Sequence, residues 1–336
     1  MDMVNAFSGD TFPELKPLDK GWDDMTRYPC YGQPKTITLS WSRLGDWAKC
    51  RHKIKLLHEG RKSKVVNARN FLAGNLADNS MREALEKAKK DPMGRLLSLS
   101  VDELLAPLAS KWDHYMNTGE ENRIYQWQGD PNEDQARILA SAKESLVKLH
   151  PILIDNLLGR RFIPEFRPPD MPVFGIPGPD GEPCYIRLYL AVDCAVQVEE
   201  DPGNPNGVGK WGLFDLKTTS TQAYLDKSLP QLVFYDLGFQ ALTGSRPVEH
   251  ALWAPLMKKP VQQVHVTDEH RAMVTNWIVT YCHSVWASEA DFTQDPQDCY
   301  TCSTKSACPR FVTPMTRDEQ GISKVHFGQR EGMLHG

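Results

Sequence analysis

The segment Asp215-Leu216-Lys217 places a carboxylate and an ammonium group two residues apart. Residues 211–217 are mostly apolar and follow a turn-rich loop, a pattern that predicts a β-strand. Side chains alternate between the two faces of a strand, so Asp215 and Lys217 share one face. Such a pair can bind a divalent cation and stabilise an attacking water or the charge that develops on a phosphate. Taken alone the pattern is weak, because a surface ion pair has the same composition.

A second carboxylate, Asp193, lies inside the apolar run 185–198, which predicts one long strand. Charged side chains are rarely buried unless they are paired or bound to a metal. If the two strands form a hairpin, Asp193 faces Asp215, and two converging carboxylates favour a cation between them. Their oxygen atoms suit Mg²⁺ or Mn²⁺. The alternative is that Asp193 occupies a bulge or an edge position.

Further polar positions are candidates for the same site. Asp78 lies in a helix predicted over residues 68–90, where it is either a third oxygen ligand or an acid that the helix dipole favours near the N-terminus. Gln231 and Tyr235 are four residues apart in a helix predicted over residues 228–243, so they share a face. They either hold the substrate backbone and order Lys217 or form a partly buried polar seam. Glu165 precedes the strands and either lies near the site or is a loop acid, and its position is more typical of a loop acid.

Three cysteines, Cys299, Cys302 and Cys308, lie close together near the C-terminus in a stretch rich in Pro, Thr and Ser. An iron–sulfur cluster or a structural zinc site needs four ligands. The fourth must come from elsewhere in the chain, and Cys50 is the candidate. The alternative is a zinc knuckle with three cysteines, completed by His283 or by no further residue.

The composition bounds the class of protein. A chain of 336 residues with 40% hydrophobic and 24% charged residues is typical of a soluble globular enzyme. It has no apolar run of the roughly 20 residues that a membrane helix needs, and its N-terminus lacks a signal-peptide pattern. We therefore expect a cytoplasmic protein. The net charge of −4 counts mildly against nucleic-acid binding, but seven Lys/Arg among residues 49–64 form either a solvated helix face or a phosphate-binding stripe.

The order of these features resembles the RecB-like branch of the PD-(D/E)XK nucleases. More closely, it is similar to the AddB-type and CRISPR-adaptation exonucleases that carry a four-cysteine 4Fe–4S cluster. The resemblance spans residues 42–308 and rests on Ser42-Arg43-Leu44 before Cys50, Gly74 before Asp78, Asp193, Asp215-Leu216-Lys217, Gln231 with Tyr235, and Cys299, Cys302 and Cys308.

The resemblance implies an α/β fold with a restriction-endonuclease-like mixed sheet flanked by helices, a helical insert, and an iron–sulfur clasp that joins the N- and C-terminal segments. The expected division of the chain is an irregular arm (1–35), N-terminal helices (36–91), a helical insert (92–160), the nuclease core (161–290), the cysteine segment (291–311) and a polar tail (312–336). The insert contains aromatic residues that either stack bases or pack in a core: Trp112, Tyr115, Tyr125 and Trp127.

The resemblance also implies roles for individual residues: Asp78, Asp193 and Asp215 as ligands of Mg²⁺ or Mn²⁺, Lys217 as the catalytic lysine, Gln231 and Tyr235 as the Gln-x3-Tyr motif, and Cys50, Cys299, Cys302 and Cys308 as ligands of the cluster. In one departure, Asp78 stands where the family usually has His.

The implied function is a metal-dependent DNA exonuclease that acts on single-stranded DNA ends, with 5′ to 3′ polarity favoured. A helicase or recombination partner would be a separate chain. If the gene comes from a phage, the expected location is the host cytoplasm. Two alternatives stay open: a DNA-binding or recombination helper of the same fold that does not cleave, and a zinc-binding structural module.

Overall fold

The computed structural model of the protein describes residues 16–17, 36–58, 65–118, 124–168, 171–177, 183–199, 209–226, 228–287, 302, 304, 308–309, 316–317 and 323–324. The helices are α1 (Trp41–Lys49), α2 (Arg51–His58), α3 (Ala68–Lys87), α4 (Val101–Leu105), α5 (Pro107–Asp113), α6 (Pro131–Leu157), α7 (Gln222–Asp226), α8 (Leu229–Thr243) and α9 (Asp268–Trp286), with a π-helical turn at His114–Thr118. The strands are β1 (Lys16–Pro17), β2 (Thr36–Ser40), β3 (Val65–Asn67), β4 (Lys89–Lys90), β5 (Leu96–Ser98), β6 (Ile124–Gln126), β7 (Phe162–Phe166), β8 (Val173–Pro177), β9 (Pro183–Tyr189), β10 (Val192–Glu199), β11 (Lys210–Leu216), β12 (Glu249–Trp253), β13 (Val261–Gln263), β14 (Thr316–Arg317) and β15 (Ser323–Lys324).

A five-stranded mixed sheet with the order β13-β12-β11-β10-β7 forms the centre of the fold. β11 and β12 are parallel, and the other neighbouring pairs are antiparallel. A separate four-stranded sheet has the order β1-β8-β9-β2. Three pairs of short strands complete the description: β3 with β6, β4 with β5, and β14 with β15.

Helices cover both faces of the five-stranded sheet. On one face, Ala195 and Leu213 pack with residues of α8 and α9. On the other face, Cys194 and Phe214 pack with residues of α3, α4 and α6. The two cores follow from the alternation of side chains along β10 and β11, which leaves both strands apolar on both faces. The prediction of an α/β fold with a mixed sheet between helices is confirmed.

The prediction of one long strand over residues 185–198 is wrong. The chain leaves the four-stranded sheet at Tyr189 and enters the five-stranded sheet at Val192. Leu190, between them, is fully buried and lies against Gly238 of α8, where an added Cβ would come within 2.4 Å of the leucine side chain. The sequence does not reveal this change of sheet, because the run stays apolar throughout. Leu190 and Ala191 are buried or half-buried like the strand residues beside them.

The N-terminal helices expected in residues 36–91 include α1 and α2, which Cys50 separates. Ser40 Oγ accepts a hydrogen bond from the N–H of Arg43 at 3.3 Å and so caps the N-terminus of α1. Residues 92–160 hold three helices, as expected, together with the short strands β5 and β6. Of these helices, α6 packs along α3 and contributes to the core on the face of the five-stranded sheet that carries Cys194 and Phe214.

The aromatic residues of this range pack together. Tyr115 is buried, and Trp112, Tyr125 and Trp127 are half-buried against the cluster that includes Leu72 of α3. Their position favours the packing role over base stacking. In the part of the chain that the structure describes, no helix is both long enough and apolar enough to span a bilayer.

Candidate active site

The Asp215 carboxylate lies near the C-terminal end of β11 and is 1% exposed. Its Oδ1 accepts a hydrogen bond from Gln231 Nε2 at 3.1 Å. Its Oδ2 is in ion-pair contact with Lys217 Nζ but, among the described residues, accepts no well-directed hydrogen bond. Lys217 follows the last strand residue, and its N–H donates to the carbonyl of Trp253 at 2.8 Å, which holds it beside Asp215 on the same face.

Asp193 occupies the neighbouring position on β10. The antiparallel register pairs Cys194 with Phe214, so the next step along the ladder brings Asp193 opposite Asp215. Asp193 Oδ2 accepts a hydrogen bond from the Leu216 N–H at 2.7 Å. β10 has neighbours on both sides, and its irregularity lies between Gln197 and Glu199. Asp193 is therefore at neither an edge nor a bulge, and the predicted approach of the two carboxylates is present.

Asp78 reaches the same region from α3. Gly74, one helical turn earlier, lies so close to the segment after β11 that a Cβ there would be 3.1 Å from Thr218 Oγ1. The missing side chain of Gly74 lets α3 approach the end of β11. Asp78 Oδ2 lies 3.2 Å from a guanidinium nitrogen of Arg82, which also contacts Glu165.

Burial and neighbouring charges shift the pKa values of Asp193, Asp78 and Lys217. Burial and then the neighbouring carboxylates Asp215 and Asp78 raise the pKa of Asp193 well above its ordinary value. Burial also raises the pKa of Asp78, with Arg82 opposing and Asp215 and Glu165 adding to the increase. For Lys217, burial acts to lower the pKa, but Asp215 and Asp193 outweigh it and the pKa is raised. The charged forms of Asp193 and Asp78 are therefore disfavoured, and a further positive charge at this site would stabilise them.

Glu165 belongs to this group, and the prediction that it is a loop acid is wrong. It lies in β7, and the pairs Val192 with Phe166 and Cys194 with Pro164 put it opposite Asp193 on the side away from Asp215. Among the described residues it is the one non-glycine with a positive φ, 48°.

The Glu165 carboxylate contacts both Arg82 and Arg167. Strained backbone of this kind is concentrated at functional sites. Pro164 next to Glu165 was the misleading signal, because proline favours a loop in a sequence pattern.

Gln231 and Tyr235 share one face of α8, as their spacing predicted. This face meets Asp215. Gln231 Nε2 donates to Tyr235 Oη at 2.9 Å as well as to Asp215. Tyr235 is 6% exposed, and burial, followed by the charge of Asp215, raises its pKa well above the ordinary value. The phenol therefore stays protonated and neutral beside the carboxylates.

α8 is fixed in place by Asp236, which is fully buried next to Tyr235. Its oxygens accept hydrogen bonds from Arg271 of α9 at 2.7 and 3.1 Å, and Oδ1 lies 2.9 Å from His250 Nε2 of β12. Burial acts to raise the pKa of Asp236, but His250 and Arg271 outweigh it and the pKa is lowered. This group ties together α8, α9 and the sheet, and so sets the distance of Gln231 from Asp215.

The donor chemistry of the site fits a hard divalent cation. Asp78, Asp193 and Asp215 offer carboxylate oxygens, which Mg²⁺ and Mn²⁺ prefer. Within the described residues, no three His, Cys, Asp or Glu side chains stand together as a ready-made metal group. Asp78 instead pairs with Arg82 and Asp215 with Lys217. A bound cation would share these carboxylates with the two basic side chains.

Of the four cysteines predicted to hold a cluster, Cys50, Cys302 and Cys308 are among the described residues. Cys50 caps the C-terminus of α1, Cys302 Sγ lies 3.3 Å from Thr304 Oγ1, and Cys308 is buried. Cys299 is outside the described residues. The helix that carries Cys50 packs on α9, which precedes the C-terminal cysteines: Trp47 Nε1 donates to Ser284 Oγ at 2.6 Å.

A family model described as the PD-(D/E)XK nuclease superfamily matches residues 38–309. The chain belongs to this superfamily. A search of curated proteins finds no match. Membership in the PD-(D/E)XK superfamily implies a metal-dependent nuclease that uses Mg²⁺ or Mn²⁺ and acts on DNA. The matched range includes the three carboxylates, Lys217 and the Gln231–Tyr235 pair, and it ends one residue after Cys308.

Proposed function

We propose that this PD-(D/E)XK nuclease is a metal-dependent DNA exonuclease that degrades single-stranded ends, with 5′ to 3′ polarity, and that it carries a structural 4Fe–4S cluster. The observation that carries the nuclease assignment is the adjacency of Asp193 and Asp215 on paired strands with Lys217 in contact with Asp215. The resemblance to AddB-type and CRISPR-adaptation exonucleases supports the exonuclease mode and the cluster.

Asp78, Asp193 and Asp215 would hold the cation. When bound, Mg²⁺ or Mn²⁺ lowers the pKa of a water molecule and neutralises charge on the phosphodiester. Lys217 acts through its ammonium group: its raised pKa keeps it protonated at neutral pH, so it can orient the attacking water and offset charge on the phosphate. Gln231 orients Asp215 by the hydrogen bond to Oδ1 and is therefore a positioning residue.

The exonuclease assignment is tested with single-stranded DNA labelled at either end. In Mn²⁺, a 5′ to 3′ exonuclease releases the 5′ label first as a short product and shortens the 3′-labelled strand progressively. A circular single strand should resist cleavage. Rapid cutting of the circle, or early release of the 3′ label, would contradict the exonuclease mode or its polarity respectively.

The helper alternative is favoured by one feature, the pairing of Asp78 with Arg82 at the position where the resemblance predicts a histidine. A helper binds single-stranded DNA but leaves it intact in Mn²⁺ or Mg²⁺. Binding without cleavage over a full titration of both metals would replace the exonuclease assignment with this one.

The proposed cluster is supported by the contact between α1, which ends next to Cys50, and α9, which precedes the C-terminal cysteines. Trp47, three residues before Cys50, packs edge-on against Tyr281 at 5.9 Å between ring centroids, close to the end of α9. A cluster on Cys50, Cys299, Cys302 and Cys308 would close a very long loop and restrict the unfolded chain, and the entropic cost of closure grows only slowly with loop length. We therefore propose a clasp with a structural role.

Anaerobic purification followed by iron and sulfide analysis tests the clasp. Cys50→Ala should lose iron and sulfide and should unfold more readily, with cleavage reduced as a consequence. Cys194→Ala is the control, because Cys194 is fully buried in the sheet, and burial raises the pKa of its thiol, so it stays protonated. A colourless parent protein with stoichiometric zinc would support the zinc module, and a Cys50→Ala variant as stable as the parent but inactive would exclude a purely structural role.

The cellular setting is proposed on the same resemblance. We place the protein in a cytoplasm, that of the host if the gene is phage-encoded, with a separate helicase or recombination protein as a partner.

A further inference from the structure

Tyr224 is the one Phe, Tyr or Trp residue that is exposed among the side chains that the structure describes; 57% of it is accessible. Aromatic rings are usually buried because they remove a large apolar area from water. The aromatic residues first considered for base stacking, such as Trp112 and Tyr125, are packed against a core cluster. Among the described aromatic residues, Tyr224 is therefore the one whose ring is most available to contact a ligand.

The chain holds Tyr224 a short distance along the sequence from Lys217 and within electrostatic reach of its ammonium group. Tyr224 lies on the short helix α7, which begins five residues after Lys217. Its N–H donates to the carbonyl of Thr221 at 3.2 Å, and the Thr221 N–H donates to Thr219 Oγ1 at 3.2 Å, so the connection from Lys217 is compact. After burial and the two carboxylates, the phenol of Tyr224 is among the groups that influence the pKa of Lys217.

The next residue, Leu225, anchors the helix. It is 2% exposed and belongs to the main core cluster, so α7 turns Tyr224 outwards. On its far side α7 is joined to α8: Ser228 Oγ donates to the carbonyl of Tyr224 at 3.2 Å, and the Gln231 N–H donates to the carbonyl of Ser228 at 3.1 Å. The ring is thus supported by the two segments that carry Lys217 and Gln231.

A flat exposed ring next to a phosphodiester site matches an unpaired nucleobase. Bases of a single strand can stack on an aromatic side chain, and the interaction tolerates any sequence because every base has a π-face. Bases inside a duplex are already stacked on their neighbours and are not available in this way. The threonine hydroxyls between Lys217 and Tyr224 add neutral hydrogen-bonding groups along the same segment.

We propose that Tyr224 is a base-stacking residue, which binds one unpaired nucleobase of the DNA strand close to the phosphodiester that is cleaved. The proposal rests on the proposed nuclease function and adds to it a contact that selects single-stranded DNA. It makes Tyr224 a binding residue for substrate, and the aromatic ring rather than the hydroxyl group carries the effect.

The test compares Tyr224→Ala, Tyr224→Phe and Tyr224→Trp with the parent on single-stranded DNA in Mn²⁺. Loss of one stacked base is expected to raise KM by about 5- to 150-fold for the alanine variant, with kcat within about twofold, while Phe and Trp stay near the parent. Val248→Ala is the matched control: Val248 is 53% exposed, and it precedes β12, which runs parallel to β11, so it lies at the opposite end of the sheet. An alanine variant equal to the parent, or a Phe variant as weak as the alanine variant, would overturn the proposal.

A second arm replaces single nucleotides of the strand by abasic sites. The parent should bind one such strand more weakly, whereas Tyr224→Ala should show no additional loss on it. Persistence of the full abasic penalty in the alanine variant would overturn the stacking contact. Binding is also measured in EDTA by fluorescence anisotropy of labelled DNA. A parent protein that binds DNA but does not cleave it would contradict the nuclease function. The stacking contact would still be measurable in that case, as weaker DNA binding by Tyr224→Ala than by the parent.

Discussion

Replacing Gln231 with Ala should lower kcat/KM by about 10- to 150-fold without unfolding the protein. Gln231 Nε2 donates to Asp215 Oδ1 at 3.1 Å, and Asp215 is 1% exposed, so water cannot readily take the place of the amide. A hydrogen bond to a charged group contributes about 1.5–3 kcal/mol. Since about 1.4 kcal/mol corresponds to a tenfold change in rate, full expression of this contribution in the transition state gives the stated range.

Steady-state cleavage of labelled single-stranded DNA measures the effect, together with the Kd for Mn²⁺. Gln231→Ala should weaken Mn²⁺ binding as well as cleavage, because Asp215 loses the group that orients it. Tyr235→Phe removes only the neutral partner of Gln231, so its effect should stay below about tenfold, and the double variant should be no worse than Gln231→Ala. Gln263→Ala is a matched control, since Gln263 donates to Glu249 at 2.8 Å on an exposed surface.

A correctly folded Gln231→Ala variant that keeps kcat/KM within about twofold of the parent would refute the positioning role of Gln231. Losses of Gln231→Ala and Tyr235→Phe that simply add in the double variant would also refute it, because the two side chains would then act independently.

The remaining predictions concern buried carboxylates. Asp193→Asn should abolish cleavage yet leave the unfolding midpoint of the metal-free protein unchanged or higher. The amide oxygen still accepts a hydrogen bond from the Leu216 N–H, while the repulsion by Asp215 disappears. A large fall in the midpoint measured in EDTA would contradict this. Asp236→Ala should lower the free energy of unfolding by about 3–5 kcal/mol, because the largely buried guanidinium of Arg271 then keeps only the exposed Asp268 as an ionic partner. Urea titration measures this, and a change below about 1 kcal/mol would contradict it. The pKa of Asp236 is lowered in the folded state. Its contribution to the free energy of unfolding is therefore complete above the ordinary pKa of 3.8 and is lost as the pH falls through the folded-state pKa. The stabilities of the parent and Asp236→Asn, measured by acid titration, should therefore converge at low pH.

Much of the site follows from local periodicity. The alternation of a strand places Asp215 and Lys217 on one face, and the turn of a helix places Gln231 beside Tyr235. Both relations involve residues fewer than five apart, where backbone geometry leaves few alternatives. The meeting of Asp193 with Asp215 also needs a strand register, which the apolar pattern does not fix because both strands are apolar on both faces.

The parts that the sequence did not reveal depend on tertiary contacts. Arg82 is separated from Glu165 by the helices α4, α5 and α6, and no local pattern indicates that the two residues pair beside Asp78. Glu165 itself adopts a left-handed backbone inside a strand, a conformation that residue preferences disfavour for glutamate. The exposure of Tyr224 follows from the burial of Leu225 in the main core cluster, a tertiary contact that no local sequence pattern indicates.

The central claim is that Asp215 takes part in metal-dependent cleavage of DNA, and Mn²⁺-dependent cleavage by Asp215→Ala tests it most directly. The control is Asp155→Ala, because Asp155 is an exposed carboxylate on α6. We expect the parent and Asp155→Ala to degrade end-labelled single-stranded DNA in Mn²⁺ and to stop in EDTA, while folded Asp215→Ala releases no label. Release of label by Asp215→Ala at the parent's rate would contradict the account.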